Sequence, residues 1–262
     1  MSIISEITKD SVLNYIATEG KRIDGRGFDD YREIKVEKGF IKSAEGSALV
    51  SIGKTKVLVG VKVDPAEPFS DRPGEGIIST NAELLPLAYK EFETGPPNED
   101  SIELARVVDR GIRSADIIDT ASLKINEEKV WGIFIDIYVL DYDGNLMDAA
   151  ALAAMAALTE AYIPKYDEQN KKVIRDRAQG KPLPLRGIVT ECTFAKMGGK
   201  IMIDPCLEEE MAMEGRLTIG IMDKYVVSGQ KAEQAAFTQE ELFACIDKAF
   251  AKHETLKKLA MG

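Results

Sequence analysis

The chain has 262 residues, 45% of them apolar, and carries 34 basic against 44 acidic side chains for a formal net charge of −10. This length and composition fit one large domain or two fused halves with sizeable cores, and they exclude a disordered chain. The acidic balance argues against a protein that coats nucleic acid with its whole surface, because such binding needs accumulated positive potential. It leaves room for local basic patches.

In chain order, residues 5–19 read as an amphipathic helix with Ile7, Val12, Leu13 and Ile16 apolar and Gly20 as its stop. The segment "GKRIDGRGFDDYREIKV" is a charged turn entering a strand. Alternation then takes over: "GSALVSIG" and "KTKVLVGVKV" flank Gly53-Lys54, with Val57, Val59, Val61 and Val63 on one face, a hairpin that ends at Asp64-Pro65. "DPAEPFSDRPGEG" has the composition of an exposed loop. Helices are predicted over 81–92 and 98–115, the second opened by Asp100 with Glu103 in a pattern like a capping box. A strand from Trp131 to Leu140 ends at the turn Asp143-Gly144-Asn145, and the Ala-rich "MDAAALAAMAALTEA" predicts a helix able to pack closely on a sheet.

The second half repeats this order. Residues 188–205 form a hairpin around Gly198-Gly199 that again ends in Asp-Pro, at Asp204-Pro205. "RLTIGIMDKYVVSG" follows, and then a long helix from Thr238 to Leu259. The parallel suggests an internal duplication of a sheet-plus-helices unit. The expected division is an N-terminal helix (1–20), a first half (21–165), a polar linker (166–186) and a second half (187–262).

Cys192, Cys206 and Cys245 are odd in number, widely spaced and without a CxxC pattern. They suggest neither a disulfide framework nor a zinc site, and the expected compartment is a reducing cytoplasm. No basic start precedes an apolar run and no stretch approaches about 18 apolar residues, so a soluble, unexported protein is expected. The only histidine, His253, lies in the Lys-rich "DKAFAKHETLKK" and is expected on a solvated helix face. With a single histidine, a catalytic triad or a His-rich metal site has little to work with.

Two clusters carry possible chemistry. Arg106, Arg110 and Arg113 recur at i, i+4 and i+7, which puts three guanidinium groups along one helical face, opposite Leu104, Val108 and Ile112. Such a stripe reads either as a solvated face paired with neighbouring carboxylates or as a track for a phosphodiester backbone, which guanidinium binds through a planar fork. The run Glu208-Glu209-Glu210 with Glu214 reads either as a cation or acid/base site or as a solvated loop. The competing cation Arg216 and the usual behaviour of charge runs favour the loop. No GxxxxGK[ST], GxGxxG or HExxH motif is present.

The R-x-D-G-R turn at Arg22 to Arg26, the G-S-A strand start at Gly46, Ser47 and Ala48, and "LARVVDRGIRSADIID" occur in an order and spacing that resembles the RNase PH family of 3'-to-5' phosphorolytic exoribonucleases. The likeness runs from about Gly20 to the C-terminal helix. It is greatest to the non-catalytic RNase PH-like branch found in archaeal exosomes. The resemblance implies an α/β (α+β) architecture: the duplicated RNase PH-like β/α fold, of the ribosomal protein S5 domain 2-like type, with two mixed sheets packed with helices.

Active members of the family hold inorganic phosphate with a Gly-Gly-[Ser/Thr]-Arg turn and carry an acidic pair in a loop of the second half. Here the turn reads Gly144-Asn145-Leu146-Met147, and the acidic pair falls on Glu210 and Arg216, the second with its charge reversed. A thioether cannot bind phosphate. The resemblance therefore implies no catalytic residue, no metal and no cofactor in this chain, and it implies RNA-phosphate contacts for Arg106, Arg110 and Arg113. Implied partners are a catalytic RNase PH-like subunit in a hexameric ring built as a trimer of heterodimers, RNA-binding cap subunits and single-stranded RNA, with no membrane. An enzyme active alone as a homohexamer and a scaffold without RNA contact are the competing readings.

Overall fold

The structure, a computed structural model, describes the chain from Ile3 to Gly262, and side-chain surroundings from Lys9 onward. Met1 and Ser2 of the expected N-terminal helix, and the side chain of Ile7, lie outside the described residues. Helix α1 (Ile3–Glu19) ends at Gly20, whose φ of +61° suits glycine. Val12 and Ile16 are buried from it.

Strands β1 (Ile34–Lys38), β2 (Gly46–Ile52), β3 (Thr55–Ala66), β4 (Ile77–Leu84) and β5 (Val130–Asp141) form one sheet in the order β1-β2-β3-β5-β4. All its pairs are antiparallel except β4 with β5. The β2–β3 hairpin turns at Gly53-Lys54. Val57, Val59, Val61 and Val63 are fully buried, each stabilising the fold by roughly 1.5–3 kcal/mol. The expected helix over 81–92 is absent: β4 runs through Leu84, and turns follow to Phe92. Ala82-Glu83-Leu84-Leu85 has good helix propensity, but parallel pairing of Ala82 with Ile137 and Leu84 with Val139 overrides it.

Helix α2 (Glu99–Ser114) packs on β4, and helix α3 (Leu146–Glu160) packs on β2 and β3. The N-cap of α2 is Asn98, whose side chain accepts from Ser101 N at 2.9 Å, so Asp100 lies inside the first turn instead of opening a capping box. The alanines of α3 let it approach the sheet closely. Gly46 opposes its end, where a Cβ would crowd the Ala157 carbonyl and stand 2.9 Å from Ala161 Cα. This accounts for the glycine of the G-S-A start.

After α3 the chain forms short strands β6 (Tyr162–Ile163), β7 (Lys165–Asp167), β8 (Lys172–Ile174) and β9 (Lys181–Pro182), whose Ile163, Tyr166 and Val173 pack against the core of the first sheet. Arg175 pairs there with Glu45 and Asp64. The second sheet contains β10 (Thr190–Met197), β11 (Lys200–Ile203), β12 (Gly215–Met222) and β13 (Tyr225–Ala232) in the order β11-β10-β12-β13, antiparallel throughout. Helix α4 (Leu207–Ala212) crosses to α1, and helix α5 (Gln239–Met261) covers β10 and β12. Helix α3 also touches β10 and α5, so it forms the seam between the two sheets.

Two expectations for charged side chains fail. His253 is buried, 1% exposed, between a Thr190 hydroxyl at 2.8 Å from Nδ1 and the Asp223 backbone N–H, which donates to Nε2 at 3.2 Å. The apolar face of α5 passes through that position, which the lysines around it conceal in the sequence. The Glu208–Glu210 run is a helical turn instead of a solvated loop, and only Glu208 is exposed. Glu209 is fully buried because Arg22 neutralises it.

Candidate functional site

The turn after β5 brings the two halves together. Gly144 has φ +85°, and a Cβ there would lie 2.6 Å from the Pro205 carbonyl oxygen, so only glycine fits. Asn145 follows in the left-handed region at φ +57° and caps α3. Its Nδ2 donates to Asp148 Oδ2 at 3.0 Å and to Asp204 Oδ1 at 2.8 Å.

Asp204 is in turn held by Arg32, through its backbone N (2.8 Å), Nε (2.9 Å) and NH2 (2.7 Å), and by Arg26 NH1 at 2.8 Å. Burial alone would raise its pKa, but the Arg32 guanidinium keeps it below the usual carboxylate range. Arg22, 1% exposed, donates to both oxygens of Glu209 at 2.9 and 2.5 Å and to the Ile203 and Asp204 carbonyls at 2.8 Å. The R-x-D-G-R arginines therefore fasten their own segment to the second-half loop, and Arg32 ties that loop to the turn by also donating to the Asp143 and Gly144 carbonyls. Asp148 accepts from Tyr31 OH (2.7 Å), Thr193 N (3.1 Å) and Thr193 Oγ1 (2.7 Å), and burial pushes it up to about 6 against those bonds.

This bracing frames a cleft of about 240 Å³ lined by Leu84, Phe92, Tyr142, Met147, Glu210 and Arg216 among others. The structure thus brings together the three residues singled out from the turn and the acidic loop. Met147, in the first turn of α3, is 6% exposed and belongs to the main hydrophobic core. Glu210 Oε2 accepts from Tyr142 OH at 2.8 Å and from Asn145 N at 3.2 Å. Burial raises its pKa, with the Tyr142 hydrogen bond and the Arg216 charge opposing. Arg216 NH2 donates to Glu103 Oε1 of α2 at 2.7 Å. The one guanidinium of this cleft is thereby committed to a carboxylate. Among the described residues no group of three or more His, Cys, Asp or Glu side chains could hold a metal ion.

Arg106, Arg110 and Arg113 are all exposed on α2, with Leu104, Val108 and Ile112 buried opposite. Their surroundings differ. Arg106 has no hydrogen bond or ion pair among the described residues. Arg110 NH1 donates to Gln230 Oε1 at 2.9 Å. Arg113 is tied back by Asp109 Oδ2 at 2.6 Å and by the Ile78 carbonyl. Gln230 Nε2 reaches Glu103 Oε1 at 3.3 Å, so a polar chain from Arg110 through Gln230 and Glu103 to Arg216 connects the arginine face with the cleft. Glu103 stands out in the sequence only as a capping-box partner of Asp100, and Gln230 not at all, because their actual roles depend on α2 meeting β12 and β13 in space. A coincidence of Glu103 with a cation on a distant strand carries no local signal.

Residues 30–164 match domain 1, and residues 187–252 match domain 2, of the 3' exoribonuclease family RNase PH. The chain is 48% identical to the exosome complex component Rrp42 of Thermococcus gammatolerans over 265 residues, which span all of this chain and 96% of that protein. Among solved structures it is similar to a chain of the Archaeoglobus fulgidus exosome with RNA bound to the active site, with TM-score 0.90, 42% identity, and coverage of 98% of this chain and 99% of that one. A chain of an archaeal exosome core matches with TM-score 0.86 and 38% identity over 99% of this chain and 98% of its own length. With both family domains matched in order along a fold shared end to end, this chain belongs to the RNase PH family of 3' exoribonucleases.

Proposed function

We propose that this chain is a non-catalytic core subunit of an archaeal exosome, a complex that degrades RNA from the 3' end by phosphorolysis. One observation carries the reading. Where the family's phosphate turn leads, the cleft presents the buried thioether of Met147 and an Arg216–Glu103 ion pair in place of a free cation and a second carboxylate. Phosphate attack needs a cation free to meet the phosphate, and the guanidinium that lines this cleft is paired with Glu103.

The chain's contribution is then physical. It braces a catalytic RNase PH-like partner with which it alternates in a hexameric ring, a trimer of heterodimers carrying RNA-binding cap subunits, in the cytoplasm. The two family-like halves act as one support, with the stretch 166–186 between them. Arg106, Arg110 and Arg113 face single-stranded RNA and bind its phosphates through charge-assisted contacts that carry no sequence information, Arg113 contributing least because Asp109 already pairs with it.

The test is shortening of a 3'-extended single-stranded RNA in inorganic phosphate by this chain alone, by its co-expressed partner alone and by the two together. The expected result is activity of the mixture above that of the partner and none from this chain. Release of nucleoside diphosphates by the purified chain would overturn the proposal and establish an enzyme acting by itself.

A further inference from the structure

Beneath the arginine helix lies a carboxyl group that the cleft does not use. Glu191 on β10 is 2% exposed, and its Oε2 has no hydrogen-bond partner. A glycine makes room for it: a Cβ at Gly111 of α2 would stand 3.0 Å from Glu191 Oε1. Gly220 is its cross-strand partner on β12, and Gly229 of β13 lines the same small space. Val107, Arg110, Thr218, Ser228 and Gln230 complete the walls, and no water fits inside.

The charged groups around Glu191 are few. From α2 the cation is Arg110, from α3 the nearest acid is Asp148, and β12 and β13 offer the neutral Thr218, Ser228 and Gln230. On β10 itself, its neighbour Cys192 is a buried thiol that burial holds in the neutral form. Burial first, and the Asp148 charge second, push the Glu191 pKa well up, with Arg110 opposing. Arg110 meanwhile points outward to Gln230.

We propose that Glu191 is a positioning residue for Arg110, which lines the wall of the same space: as the neutral acid it leaves the guanidinium on Gln230 and available to RNA, and as the carboxylate it competes with Gln230 and RNA phosphate for the guanidinium at that wall. The proposal rests on the reading of Arg110 as an RNA contact. Its consequence is an RNA affinity that declines as pH rises. The proton leaves Glu191 for solvent, and the charge it leaves behind captures a cation that otherwise serves a phosphate.

The experiment measures binding of a fluorescently labelled single-stranded RNA to the ring assembled with the co-expressed partner, at about 0.1 M salt, from about pH 6 to pH 9. Wild-type affinity should fall across that range by up to about fivefold more than that of Arg110→Ala, the effect of one single-strand phosphate contact at that salt. Glu191→Gln, a neutral isostere, should hold the low-pH wild-type affinity throughout. Arg110→Ala is an exposed change and keeps the proposal testable even if Glu191→Gln fails to assemble. If Arg110→Ala is weaker than wild type by a constant factor at every pH, the Glu191 role is overturned while the RNA reading stands. If Arg110→Ala binds as wild type does, the RNA reading itself fails. A Glu191→Gln profile identical to that of wild type also overturns the proposal.

Discussion

Replacing Arg106 and Arg110 together by alanine should reduce the salt dependence of RNA binding by about 1.4 in the slope of log K against log salt, at roughly 0.7 per single-strand phosphate contact. The structure sets the division among the three arginines. Arg106 is unpaired among the described residues, and Arg110 shares a single bond with the neutral Gln230, so each offers a full charge. Arg113 is already neutralised by Asp109 and tied to Ile78, so Arg113→Ala should change the slope by well under half a unit. Between about 50 and 200 mM salt a slope difference of 1.4 amounts to a roughly sevenfold smaller loss of affinity for the double variant. Fluorescence anisotropy on the ring assembled with its partner, titrated at four or five salt concentrations, reads this directly. All three side chains are exposed, so stability should shift by no more than about 0.5 kcal/mol and the effect cannot be attributed to unfolding. A double variant with the wild-type slope would refute the RNA track. An Arg113→Ala effect as large as that of Arg106→Ala would refute the division drawn from the ion pair.

Three further outcomes concern the fold. Arg22→Met leaves Glu209 buried without its guanidinium, and urea unfolding should show a loss of about 3–5 kcal/mol, the usual consequence of stranding one member of a fully buried pair. An equal loss from a change at the exposed Lys35–Glu33 pair would contradict that reasoning. Gly46→Ala forces a methyl into the end of α3 and should destabilise by about 1–3 kcal/mol, with recovery of wild-type melting sinking the packing account. Burial, with Lys257 assisting, lowers the His253 pKa below its ordinary value of 6.5. Below pH 6.5 the unfolded chain takes up this proton before the folded one does, so the His253 contribution is complete above that pH and is lost as pH falls towards the depressed folded value. His253→Gln should remove that part of the acid-side decline in denaturant midpoint. An unchanged decline would show that His253 does not cause it.

Much of the architecture is legible in the sequence because it is written in local periodicity. The period-2 valines of β3, the alanine run of α3 and the glycines at the two hairpin turns each specify an element without reference to distant residues, and their repetition reveals the two halves. The motifs that carry the family resemblance also lie in short stretches, so Met147 and Arg216 can be recognised as departures before any coordinates exist. Segment 81–92 is misread because its side chains favour a helix while its backbone finds a parallel partner in β5, more than 40 residues away. His253 and Glu209 are misread for a related reason: lysines and glutamates surround them in sequence, whereas in space Thr190 and Arg22 satisfy them.

The sequence supplies the candidates: three arginines on one helical face from spacing, and, from the family resemblance, Met147 where an arginine is implied and Arg216 where an acid is implied. How these groups are coupled emerges with the packing of α2 against the second sheet. Charge pairing and burial are properties of neighbours in space, so folding alone could join Arg216 to Glu103, chain Glu103 through Gln230 to Arg110, tie down Arg113 while leaving Arg106 open to solvent, and set the unpaired acid of Glu191 beneath them.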